Sequence, residues 1–151
     1  MRHVTVNIRS SFRAEERDAE EQICEAVCPG VLRPAAEGGT VLCYTDRSEE
    51  GVAQVRLVLT PDRRTVEMHR SGGSGAHLRF AEGQRHYSVY TAPHGSFSLS
   101  VLTERLHVSE AERELRLELR YRMELGGVAQ SVCLVLSAVP AEAPAAREEK
   151  P

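Results

Sequence analysis

The sequence predicts an all-β protein, an antiparallel up-and-down barrel of about eight to ten strands, and three observations carry that prediction. Apolar residues recur at every second position through most of the chain. Short turns bearing Gly and Pro separate those runs, as hairpins require. No segment with an apolar helical stripe stands between them, so the crossovers of a parallel sheet are missing and consecutive strands must pair antiparallel. A sheet of that size must bury one face, and closing it into a barrel does so while removing the exposed edges.

The elements follow in order. Val4, Val6 and Ile8 alternate with Thr5, Asn7 and Arg9 as a half-buried strand. Arg13–Glu21 permits a helix by propensity but has no apolar stripe to dock, so a loop or one exposed turn is expected. Ile23–Leu32 reads as a strand interrupted at Pro29-Gly30, after which Gly38-Gly39 turns the chain into Thr40–Asp46 and Ser48–Gly51 turns it again. Val52–Thr60 sets Ala53, Val55, Leu57 and Leu59 on one face, and Pro61–Arg64 is the turn into Thr65–Arg70, which sets Val66, Met68 and Arg70 together. Ser71–Gly75 is a hairpin or bulge rather than a phosphate cradle, because a strand and not a helix follows it. Ala76–Phe80 carries Leu78 and Phe80, and Gly83 punctuates before Arg85–Thr91, which places Tyr87 and Val89 on one face. Pro93–Gly95 turns into Ser96–Val108, with Phe97, Leu99, Val101 and Thr103 in register.

The longest pattern is Leu115, Leu117, Leu119, Tyr121, Met123 and Leu125 against Glu114, Arg116, Glu118, Arg120, Arg122 and Glu124. A helix would scatter those leucines around its circumference, whereas a strand collects them on one face and leaves a ladder of opposite charges on the other. Gly126-Gly127 is the hairpin turn into a last strand, Val128–Val139. One domain, 1–139, therefore accounts for the patterned chain. The remainder, 140–151, has three prolines, several charges and no large apolar residue, and is expected to be a disordered tail.

Composition excludes several functions. The chain of 151 residues carries a formal net charge of −3, and its 18 arginines and single lysine are interleaved with glutamate, so no basic patch announces nucleic-acid binding. No apolar run approaches the roughly 20 residues of a membrane span, and no signal-peptide pattern opens the chain, so a soluble cytoplasmic protein, monomer or homodimer, is expected. Cys24, Cys28, Cys43 and Cys133 are then buried free thiols. They lack the paired Cys-x-x-Cys spacing of zinc sites, so neither a metal nor another cofactor is expected, and zinc should not copurify.

The segments Val66–Gly72, Leu78-Arg-Phe80, Tyr87–Thr91 and His94–Thr103, taken in their order and spacing, resemble the YwiB-like family of bacterial proteins. The resemblance runs from about Val4 to Val139, with His94 where that family has a tyrosine before the turn glycine. It implies a calycin-type, lipocalin-like barrel of unknown function and no established activity.

The candidate site residues come from side-chain parity. Arg70 shares a face with Val66 and Met68, and a buried guanidinium needs a carboxylate, carbonyls or an anionic ligand. Thr103, on the face of Leu99 and Val101, can supply a hydroxyl to the same cavity, and Tyr87 completes the candidate ligand set. His69, His77 and His86 face away from the apolar set and read as exposed, although two of them on adjacent strands could capture a metal. No nucleophile elbow or Ser-His-Asp constellation can be assembled, so catalytic residues are not identified and an enzyme is the least favoured class. The expected function is a non-catalytic barrel binding a small apolar or anionic ligand, with no nucleic-acid or membrane partner. The alternative is a structural or protein-interaction barrel whose interior is filled by side chains.

Overall fold

The computed structural model describes residues 1–16, 18–48, 51–73 and 75–141. They form ten strands: β1 (Arg2–Ala14), β2 (Gln22–Pro34), β3 (Thr40–Ser48), β4 (Gly51–Leu59), β5 (Val66–Gly72), β6 (Ala76–Phe80), β7 (Arg85–Ala92), β8 (Gly95–Ala111), β9 (Glu114–Leu125) and β10 (Val128–Pro140). The only helical element among the described residues is a 3-10 turn, Ala36–Gly38, and no helix is long and apolar enough to cross a membrane. Strands adjacent in sequence pair antiparallel, and β1 pairs with β10, giving the hydrogen-bonded order β6-β5-β4-β3-β2-β1-β10-β9-β8-β7. The two ends of that order meet across a seam. Gly75 and Thr91 exchange backbone hydrogen bonds of 2.8 and 2.9 Å there, and the Arg79 amide donates to Nδ1 of His86 at 3.2 Å. The result is a nearly closed antiparallel barrel, the predicted architecture, whose seam a histidine side chain helps to bridge.

The inward faces pack into one core. Leu42, Leu57, Leu59, Leu117, Leu136 and Phe80 have almost no accessible surface, internal or external, so the middle of the barrel is solid. The alternating face of β9 delivers Leu115, Leu117, Leu119 and Tyr121 to it, as the sequence pattern requires. Gly126 and Gly127 take positive φ values of 57° and 88°, the backbone that a tight hairpin between right-twisted strands demands.

Four expectations are corrected. Pro29-Gly30 does not interrupt β2, which pairs with β1 through both residues. Gly30 is needed because a Cβ there would lie 2.8 Å from the Cys43 carbonyl oxygen and 2.9 Å from Val6 Cγ2. β8 keeps one parity through Thr103, after which a bulge between Thr103 and Arg105 inserts a residue, so Leu106 and Val108 follow Leu99, Val101 and Thr103 inward. Tyr87 and Val89 lie on the outer face, 74% and 54% exposed, because direct pairs share a face and Leu99 and Val101 pair with Ser88 and His86. His86 therefore has the inward parity, and Tyr90, not Tyr87, packs against the core. All four cysteines are free, but only Cys28 is buried, and Cys24 and Cys133 are exposed. The strand β10 runs to Pro140, and the Ala141 amide donates to the His3 carbonyl, so the start of the expected tail is paired backbone. The remainder of that segment, 142–151, lies outside the described residues.

Candidate functional site

Arg70 lies toward the end of the barrel that carries the β9–β10 hairpin. Its Nη2 donates to Oδ2 of Asp46 at 3.4 Å, from β5 across β4 to β3, and both side chains are partly buried. Behind this pair sits Tyr44, whose phenol is pushed far above its ordinary value by burial and then by the negative charge of Asp46, with Arg70 opposing. The Cys28 thiol is raised by the same two causes, burial first. Arg70 thus has a carboxylate partner of this chain, the arrangement a scaffold arginine makes. It also lines a shallow groove at the seam, with Ser71, Gly75, Ser88 and Thr91.

Thr103 is fully buried, and its Oγ1 has no hydrogen-bond partner among the described residues. Its backbone is satisfied by the β6–β7 turn, the amide donating to the Gln84 carbonyl and the carbonyl accepting from the Gly83 amide. Its cross-strand neighbour is Tyr121, whose phenol burial pushes up to about 12. An enclosed hydroxyl without a partner costs stability, so Thr103→Val, which exchanges it for a methyl of similar shape, is expected to stabilise the domain by about 1 kcal/mol. A denaturant titration checks this; a lower midpoint in the variant would show that the hydroxyl is satisfied. Arg70, Thr103 and Tyr87 therefore occupy a strand end, the solid core and the outer surface, and do not converge on one cavity.

The opposite end, which carries the β8–β9 hairpin, is open as a cup of about 240 Å³. Its floor is Val4, Leu32, Leu115 and Ala138, all buried, and Arg2, Arg33 and Arg113 stand on its rim. Three glutamates, Glu110, Glu112 and Glu114, share that rim with the arginines, and the carboxylates of two of them are engaged. Glu110 accepts two hydrogen bonds of 3.1 Å from Arg63, which hold its carboxyl below the ordinary value, and Glu114 accepts one of 2.6 Å from Ser137. Arg63 also donates to the Thr60 carbonyl at 3.0 Å and to Thr40 Oγ1 at 2.8 Å, so one guanidinium ties the β4–β5 turn and β3 to the β8–β9 hairpin and fixes that wall of the cup. Sequence reasoning missed all four arginines. Arg2, Arg33 and Arg113 come from three separate elements and share no spacing, and Arg63 is legible only as a turn residue. An apolar floor beneath cationic groups holds small molecules that have one apolar part and one anionic group.

A family profile described as Domain of unknown function (DUF1934) matches residues 6–134 of this chain. Among solved structures, the chain is similar to the one titled "Crystal structure of ywiB protein from Bacillus subtilis", with a TM-score of 0.73 and 16% identity over 93% of this chain and 94% of that one. A likeness at that identity establishes the lipocalin-like barrel fold. Comparison with curated proteins finds no match.

Proposed function

Because the chain belongs to the DUF1934 family, a domain of unknown function, and the middle of its barrel is solid, we propose that it binds its ligand at the rim, as a non-catalytic protein that takes a small amphipathic anion into the cup at the β8–β9 end. The observation that carries this reading is the apolar floor of Val4, Leu32, Leu115 and Ala138 beneath Arg2, Arg33 and Arg113. The volume of about 240 Å³ is below the roughly 300–1,000 Å³ of drug-sized sites, so the ligand is short, of the size of a short-chain carboxylate. Four free cysteines suit a reducing compartment, so the reading takes the protein as cytoplasmic.

Thermal melts with a series of carboxylates from butanoate to decanoate test it. The wild-type melting temperature is expected to rise with ligand. The double variant Arg33→Met/Arg113→Met is expected to weaken binding about tenfold, about 1.4 kcal/mol, with the fold intact. Arg70→Met should bind as well as wild type. Loss of binding in Arg70→Met alone would move the anion site to the groove at the seam. No shift in any protein would overturn ligand binding and favour the second reading, an interaction barrel, which the filled interior supports.

A further inference from the structure

The outer face of β5 and β6 carries a donor set that neither the core nor the cup uses. Glu67 and His69, two residues apart, share that face of β5, and the register sets His77 of β6 directly opposite His69 and diagonal to Glu67. One ligand atom from each of the three lies within 4.8 Å of the other two. Oε1 of Glu67 is 3.0 Å from Nε2 of His77 and 3.9 Å from Nε2 of His69. A tetrahedral metal with bonds of about 2.0–2.1 Å keeps its donors about 3.4 Å apart, and the two observed separations straddle that figure. The imidazoles stack with centroids 4.2 Å apart and planes 13° from parallel, a contact that two protonated rings would oppose by like charge.

We propose that Glu67, His69 and His77 form a surface site for a divalent transition-metal ion, zinc in the first instance. One carboxylate oxygen cannot satisfy both imidazoles, since 3.9 Å is beyond hydrogen-bond distance, whereas a cation between the three donors satisfies all of them. The rings stand face to face, and Nε2 of His77 donates to Oε1 of Glu67 at 3.0 Å, a hydrogen bond that metal capture replaces with loss of that proton. Capture therefore requires the rings to turn, and both side chains are exposed enough to do so. Arg56, opposite His69 on β4, and Arg79, opposite Glu67 on β6, add positive charge around the site. They select against ions held by charge alone, such as magnesium or calcium, and for ions that bond directionally to imidazole nitrogen. His86 is not a donor in this set. Its Nδ1 accepts the Arg79 amide, and its ring meets His77 edge to face at 5.7 Å, backing His77 from the seam. His69 and His77 also line the open groove at the seam, so the remaining coordination positions go to water. The site is independent of cysteine, and its exposure makes the ion exchangeable.

The test is calorimetric titration of the chelator-treated full-length protein with zinc chloride, paired with cobalt(II) absorption spectra. One equivalent is expected to bind, His77→Ala to weaken binding at least tenfold, and Cys24→Ser/Cys133→Ser to leave it unchanged. Cobalt spectra should show d–d bands without thiolate charge transfer. Circular dichroism of His77→Ala controls for folding. Absence of saturable binding, or binding that survives in the folded His77→Ala variant, overturns the proposal.

Discussion

Replacing Phe80 by alanine is expected to destabilise the domain by about 3–5 kcal/mol, a large part of the roughly 5–15 kcal/mol that holds a domain of this size together. Phe80 has no accessible surface, and its ring meets that of Tyr121 at 4.8 Å between centroids. It pairs across the sheet with Val66, which is equally buried. The loss should exceed that of an average core residue, because β6 has five residues and a full ladder on one side only. Its other side is the seam, so Leu78 and Phe80 hold β6 in the barrel mainly by packing. Chemical denaturation gives the magnitude, and hydrogen exchange should show β6 amides losing protection before those of β9. A loss below about 1 kcal/mol would mean that the barrel closes without this strand's side chains.

The second large effect is expected at Gly30. Gly30→Ala should cost about 1–3 kcal/mol although it adds a single methyl to a residue with ordinary extended backbone. That methyl meets the Cys43 carbonyl oxygen on one side and Val6 Cγ2 on the other, both within 3 Å, and the carbonyl cannot move without disturbing the β2–β3 ladder. The double variant Val6→Ala/Gly30→Ala relieves only the side-chain clash. It should therefore recover part of the combined loss, a coupling that a double-mutant cycle measures. A Gly30→Ala variant as stable as wild type would show that β2 and β3 can separate at no cost.

The two sites illustrate where sequence reasoning reaches and where it stops. The barrel was legible because one-sided alternation in β1, β4 and β9 and the turn residues between strands are local signals that the packing then obeyed. In β7 the signal is balanced: Tyr87 and Val89 on one face, His86, Ser88 and Tyr90 on the other. Periodicity cannot choose between such faces, and the choice was made by pairing to β8, whose Leu99 and Val101 are buried. That pairing puts Tyr87 on the outer face, apart from Arg70 and Thr103. In β8 the bulge after Thr103 changes parity within one strand, and nothing local announces it. Gly30 reads locally as a break in the strand because the neighbouring backbone that requires it belongs to β3, which is distant in sequence until the sheet forms.

The candidate sites divide in the same way. By itself the sequence determined the all-β class, the antiparallel order, the apolar faces of most strands and the absence of cysteine spacing for zinc, since each depends on residues within a few positions of one another. Only the tertiary structure decided that Arg70 is answered by Asp46, that the barrel is solid at Thr103, and that Arg2, Arg33 and Arg113 ring a cup at the far end. It also brought His77 beside Glu67 and His69, a set whose members the sequence holds ten and eight residues apart. The physical reason is common to all of these. Alternation fixes which face a side chain occupies, but register and closure fix which side chains share a place on that face, and both are settled by pairing between strands rather than within one.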